Sequence, residues 1–200
     1  MHADMQPSPW VVAFTELIGG GPDGGDPADT PVLDVACGRG RHSRFFLDRG
    51  HPVTAVDRDI SGLADIHREP RLTIIEADLE DPAQGWPLGE ARFAGVIVTN
   101  YLWRPLIPSI LRAVDDGGVL LYETFAVGNE AFGPPSNPDY LVHEGELLVL
   151  VQDKLSVVAY QHGIVTRPRS AVVQSICARR ASDPAPLPEW VGPGAGPLVD

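Results

Sequence analysis

Pro31 to Asp59 reads PVLDVACGRGRHSRFFLDRGHPVTAVDRD, and the parsing of this stretch decides the fold. Val32 to Ala36 is a short run with β-branched residues, of the kind a buried parallel strand needs. Cys37-Gly38-Arg39-Gly40 then turns the chain, and glycine lets a backbone pass tightly there and lie against a ligand. A helix is expected from Arg41, with Phe45, Phe46 and Leu47 as apolar anchors and Gly50 as its stop. Val53 to Val56 resumes the strand pattern and delivers Asp57 to the strand's carboxyl end, where open α/β sheets bind ligands. Asp57 lies about twenty residues past the glycines, a reach suited to a ribose. The unit is strand, turn, helix, strand, and it fits a nucleoside.

Two details separate the possible nucleosides. Ser43 stands where a dinucleotide turn would place its third glycine, and Asp34 sits in the first strand just before the turn. A pyrophosphate belongs at the helix N-terminus, drawn by free N–H groups and the dipole, and a carboxylate nearby would repel it. The same carboxylate favours a ligand carrying an ammonium and a sulfonium. S-adenosyl-L-methionine carries both.

Asp34-Val35-Ala36-Cys37-Gly38-Arg39-Gly40 resembles the first motif of class I S-adenosylmethionine-dependent methyltransferases. The longer GRGRHSRFFLDRGHPVTAVDRD is most similar to the small tellurite-resistance (TehB)-like branch, and the resemblance covers about Val32 to Ala181. It departs from the commonest pattern at Ala36, where glycine is usual. The resemblance implies that Asp34 serves the methionine ammonium, while Ala36, Cys37, Gly38 and Gly40 give close backbone approach. It further implies Asp57, beside Arg58, at the ribose hydroxyls. Asp78, with Leu79 next to it, matches the acidic position after the third strand that hydrogen-bonds the adenine amino group. Asn100 and Tyr101 follow the fourth strand, where the methyl group is presented. The acceptor implied is a small molecule.

Two hundred residues suit one domain with a sizeable core. A formal charge of −12 argues against a nucleic-acid surface, where a basic stripe would be expected. Cys37 and Cys177 are too few and too far apart for a disulfide framework, and no Cys/His spacing reads as a metal site. No leader pattern opens the chain and no apolar run approaches a membrane span, so a cytoplasmic location is the expectation.

In chain order, residues 1–7 are expected to be disordered. Ser8-Pro9 caps a helix over Trp10 to Ile18 that either packs on the sheet or covers the cofactor. Gly19 to Pro31 reads as a linker. Beyond Asp57, a helix over about Ser61 to Glu69 and strands over Leu72 to Ala77 and Phe93 to Thr99 are expected. A helix from Pro105 or Pro108 to about Asp115 leads, through Asp116-Gly117-Gly118, to a strand over Val119 to Phe125. Gly128 to Tyr140 is a long loop at the ligand edge, of the type that forms functional lids. A helix over His143 to Gln152 precedes strands over Leu155 to Gln161 and Ala171 to Ala178. About ten residues join these last strands, too few for a helical crossover, so they form an antiparallel hairpin. The fold class is therefore α/β, a Rossmann-like three-layer sandwich. Its seven-stranded sheet is mostly parallel and closes on a C-terminal antiparallel hairpin. One domain spans 8–181, and the Pro/Gly-rich residues 182–200 are expected to be a disordered tail.

Methyl transfer from a sulfonium needs little covalent help, so the lack of a catalytic triad decides nothing. Arg39, Arg41, His42 and Arg44 crowd the start of the first glycine-loop helix, where the dipole disfavours cations. They read as a solvated face, or Arg41 pairs with the cofactor carboxylate or an anionic substrate. Tyr101, Trp103, Arg104, Glu123, Tyr140 and His143 are candidates for the acceptor pocket, with Tyr101 and Glu123 better placed at strand ends and His143 a possible general base. No residue is singled out as catalytic beyond Tyr101, Glu123, Tyr140 and His143. Asn137-Pro138-Asp139-Tyr140 is superficially like the N-P-P-Y motif of amino-methylating DNA methyltransferases, but it lacks the second proline and follows the fifth strand instead of the fourth. Methyl transfer to a small molecule is the leading function. A non-catalytic S-adenosylmethionine-binding module and an NAD(P)-dependent oxidoreductase are its alternatives. The acceptor atom and the oligomeric state are not legible.

Overall fold

The structure is a computed structural model and describes residues 5–19, 25–167 and 169–181. Residues 1–4 of the expected N-terminal disorder, and all of the expected tail, lie outside it.

β1 (Val32–Val35) is buried at every position, as its apolar run requires. It sits between β2 (Val53–Asp57) and β4 (Phe93–Thr99), parallel to both. β3 (Leu72–Glu76) forms one edge, beside β2. On the other side β4 pairs in parallel with β5 (Val114–Phe125). β7 (Ala171–Arg179) runs antiparallel between β5 and β6 (Ser156–Val165), which is the second edge. The order is β3-β2-β1-β4-β5-β7-β6. Strand order reverses between β1 and β4, and a crevice opens at the carboxyl ends there.

Strand residues alternate between two cores. Leu33, Val35, Val96, Val98, Leu120 and Tyr122 face α3 (Ile107–Ala113) and α4 (Glu146–Val151). Val32, Val53, Ile97, Val119 and Leu121 face α1 (Pro9–Phe14) and α2 (Arg41–Leu47). Three layers follow from that alternation. Ser8 caps α1 by accepting from the Trp10 amide, with Pro9 at the first helical position. Trp10, Val11 and Phe14 are buried on the sheet, so α1 packs on it.

Besides a shorter α1, which passes into a 3-10 turn over Thr15–Leu17, and a longer β6, three segments differ from their sequence expectation. No α-helix spans Ser61 to Glu69; a 3-10 turn covers Ile60–Leu63 instead. The Gly62 carbonyl, which a helix would give to an amide four residues on, accepts from Arg44 Nη2 at 3.0 Å, while the Ile66 amide bonds Leu63 O. Gly62 also presses on the glycine loop, where a Cβ would come 2.7 Å from the Arg39 Cα. β5 begins at Val114, five residues early, because Val114 pairs with Phe93 before 115–118 bulge outward and Val119 rejoins opposite Gly95. α4 starts at Glu146, since the Glu146 carboxylate reaches back to the His143 amide at 2.8 Å and holds that turn out of the helix.

The loop after β5 holds two 3-10 turns, Asn129–Ala131 and Pro138–Tyr140. Asn129, buried, donates to Gly133 O and Pro135 O and accepts from the Val172 amide, pinning the loop to β7. Arg104 pins its far end, pairing with Glu146 and donating to Asp139 O and Leu141 O.

Candidate cofactor and acceptor site

A cavity of about 240 Å³ opens at the carboxyl ends of β1, β2 and β3. Ala36, Asp57, Arg58, Asp78, Leu79 and Tyr101 line it, together with Ala77 and Glu80. Asp57 is held by two backbone donors: Gly38 N–H reaches Oδ2 at 2.7 Å and Asp59 N–H reaches Oδ1 at 3.0 Å. Each carboxylate oxygen has a second lone pair, so Asp57 keeps room for hydroxyl donors. Asp78 Oδ1 accepts from the Glu80 amide at 3.0 Å, which folds the acidic cluster into a turn against the cavity. Glu80 was not singled out in the sequence because acidic clusters in loops are ordinarily solvated. Its signal is its position two residues past Asp78.

The glycine loop is tightly supported. Gly40 has φ +70, and a Cβ there would sit 2.2 Å from Leu63 Cδ2. Ala36 adopts φ +52, the left-handed conformation that glycine takes without penalty. Asn100, at φ +56, ends β4 with its side chain exposed and its amide on Glu123 O.

Asp34 is buried, and Ser43 gives it both its amide (2.9 Å) and its hydroxyl (2.6 Å) at Oδ2. Burial pushes the carboxyl up to about 6, against the lowering effect of the Ser43 bonds and of Arg41. Ser43 thus closes the first turn of α2 onto a strand carboxylate, where a dinucleotide turn has glycine. The Tyr101 hydroxyl is buried with no hydrogen-bond partner, and burial together with Glu80, Asp78 and Asp57 holds it strongly protonated. The Tyr122 hydroxyl donates to Tyr101 O at 2.9 Å and fixes that backbone.

The cationic crowd at the start of α2 does not form one solvated face. Arg44 pairs with Asp65 at 2.7 Å on the outside. His42 is buried; its Nε2 accepts from Ser8 N–H at 3.1 Å, so Nδ1 carries the hydrogen and faces Thr99 Oγ1 at 3.4 Å. Desolvation, then Arg41, lowers His42 to about 3, so the ring is neutral. Arg41 reaches Thr99 Oγ1 and Gln6 O, both at the long distance of 3.4 Å.

The proposed acceptor residues divide. Tyr101 is on the cavity wall. Arg104 is committed to the loop base, and His143 is exposed and serves as the start of the α4 turn. Tyr140 is exposed on the loop, and Trp103 packs against the core. Glu123 has both carboxylate oxygens occupied, by Ser8 Oγ at 2.8 Å and Ser175 Oγ at 2.9 Å. None of these five lines the cavity. Cys37, Gly38, Gly40, Arg41 and Asn100 do not line it.

Sheet order, switch-point crevice and terminal hairpin are those of the fold that solved S-adenosylmethionine-dependent methyltransferases share, and residues 32–118 match a family described as a methyltransferase domain. Among its relatives is the malonyl-[acyl-carrier protein] O-methyltransferase of Serratia marcescens, 30% identical over 151 residues, which are 70% of this chain and 56% of that protein. The chain spans only about half the length of the curated relatives it matches. The Haemophilus influenzae TehB structure is similar with a TM-score of 0.63, at 18% identity over 90% of this chain and 62% of that one. The Burkholderia thailandensis 1,6-didemethyltoxoflavin-N1-methyltransferase, solved with 1,6-didemethyltoxoflavin and S-adenosylhomocysteine, has a TM-score of 0.58 at 24% identity, covering 76% of this chain and 72% of that chain. No helix among the described residues is long and apolar enough to cross a membrane.

Proposed function

We propose that the protein transfers the methyl group of S-adenosylmethionine to a small-molecule acceptor, free or carrier-linked. The observation that carries this reading is the donor set of the cavity. Three carboxylates, Asp57, Asp78 and Glu80, line it beside a buried tyrosine hydroxyl without a partner. Acidic walls suit ribose hydroxyls, an adenine amino group and a cationic sulfonium, and they oppose the pyrophosphate of a nicotinamide dinucleotide.

S-adenosylmethionine supplies the activated methyl carbon, so the chain has to bind, orient and exclude water. Asp57 takes the ribose hydroxyls, its orientation set in advance by Gly38 and Asp59 N–H. Asp78 takes the adenine amino group, with Ala77 and Leu79 as apolar walls and Arg58 at the rim. Gly38 and Gly40 admit the ligand to the backbone of the loop, Ala36 does so in its strained conformation, and Cys37 packs beneath on Ala55 and Leu63. Arg41, weakly bonded, is available to the methionine carboxylate. Asp34 acts on the ammonium through its field, since Ser43 occupies Oδ2. Asn100 and Tyr101, at the end of β4, meet the methionyl part and the acceptor.

Calorimetric titration with S-adenosylhomocysteine, and with NADH in parallel, tests the reading. Micromolar binding of S-adenosylhomocysteine alone, lost in Asp57→Ala, is expected. NADH binding alone would overturn it. A radiolabelled methyl-transfer screen including a malonyl thioester then tests the acceptor class, and binding without any turnover would favour a non-catalytic module.

A further inference from the structure

We propose that Glu123 is a positioning residue that fastens residues 6–8 as a strap across the methyl-transfer edge, so that the strap closes the acceptor side. The inference rests on the reading of the site as a methyltransferase site and adds to it how its acceptor side is closed.

A row of polar side chains crosses the sheet at this edge, one per strand. Thr99 of β4 lies opposite Glu123 of β5, Glu123 opposite Ser175 of β7, and Ser175 opposite Gln161 of β6. Residues one step down each strand on this face, Ile97, Leu121 and Cys177, are buried and apolar. The row is therefore the boundary where the α1-side core gives way to the crevice. Gln161 Nε2 donates to Ser175 Oγ at 3.1 Å, and Ser175 donates to Glu123. Ser8 supplies the second hydroxyl to Glu123, while its amide goes to His42 and its oxygen also caps α1. Gln6 O receives Arg41.

Ser8 is tied down through its hydroxyl and its amide, and Gln6 through its carbonyl. The Ser8–Glu123 bond is ionic, short and part-buried, whereas the Arg41 tie is long. Each Glu123 oxygen accepts one serine hydroxyl, so the carboxylate is fixed between the cap of α1 and β7 and makes a firm anchor. Release of Ser8 would free the strap, loosen the His42–Thr99–Arg41 line, and open the end of β4.

The test uses the full chain and three variants. Glu123→Ala deletes the anchor, and Ser8→Gly removes its hydroxyl while keeping a residue tolerated at a helix cap. Glu123→Gln keeps an acceptor for one serine and a donor for the other. Hydrogen exchange at the amides of Ser8 and Trp10 to Phe14, and the dissociation rate of S-adenosylhomocysteine, are read together. Both disruptive variants are expected to lose protection at these amides about tenfold or more and to release the ligand several-fold faster, with Glu123→Gln close to wild type. Unchanged protection in Ser8→Gly, or a Glu123→Gln as defective as Glu123→Ala, overturns the proposal. The exchange arm is read without ligand, so wild type failing to bind S-adenosylhomocysteine would sink the methyltransferase reading and leave the strap still on trial.

Discussion

Asp34 and His42 are buried ionisable side chains eight residues apart in the chain, and they respond to pH in opposite senses. Asp34, raised to about 6, binds its proton more tightly folded than unfolded, so its contribution to stability falls as pH rises from about 4 to about 6. Asp34→Asn keeps an acceptor for Ser43 without the charge. We expect it to be more stable than wild type at pH 7 by about 1–3 kcal/mol, an advantage that shrinks toward pH 4. Urea unfolding at both pH values measures it, and S-adenosylhomocysteine affinity should fall in the same variant. His42, lowered to about 3, is neutral in the fold, so its contribution is complete above the ordinary histidine pKa and drains away as pH falls from about 6.5 toward 3. At pH 5 the loss is about 2 kcal/mol, and it should be absent from the acid limb of a His42→Gln variant. The place of Asp34 just before the glycine turn was legible in the sequence. Its burial against Ser43 was not, since the Ser43 hydroxyl points at Asp34 only once α2 is laid on β1.

Contacts between elements explain which segments sequence patterns describe well. β1, β2 and β4 were legible because a strand buried on both faces must be apolar throughout, and the hairpin because its connection is short. The 3-10 turn at Ile60–Leu63 was not, because a partner outside the segment, Arg44, takes the Gly62 carbonyl. That turn braces the glycine loop. Gly40→Ala forces a Cβ into Leu63 and a left-handed alanine, so a loss of about 2–4 kcal/mol is expected in chemical denaturation, with cofactor binding abolished. Ala36→Gly, relieving the positive φ in the same loop, should be neutral to stabilising by up to about 1 kcal/mol. At the loop after β5, Arg104→Met removes the Glu146 pair and both carbonyl contacts; limited proteolysis should then cut within residues 128–140 well before it does in wild type. The role of Arg104 could not be seen in the sequence, because Asp139, Leu141 and Glu146 are brought to it only by the return of the chain after β5.

At the scale of the molecule, the segment that matches a methyltransferase domain, residues 32–118, holds the residues that line the cavity but stops just before β5 rejoins β4 at Val119. The remaining strands complete the same sheet. β7 is buried from Ala171 to Ala178 and supplies the partner for β5 from Val119 to Phe125. A chain ending at residue 167 is expected to be insoluble or to lack cooperative unfolding, a prediction checked by circular dichroism during thermal denaturation. The arrangement also bears on how the protein is made. A ribosome delivers β5 before β6 and β7, yet β6 touches the sheet only through β7. The nascent chain thus carries β5 as a bare strand edge while some fifty further residues are synthesised, and β6 has nowhere to dock until the strand that follows it arrives and wedges in between. The last strand threaded is the one that joins the two parts, so commitment to the native state comes late in translation, and the waiting β5 edge is where a growing chain is most exposed to pairing with a neighbour.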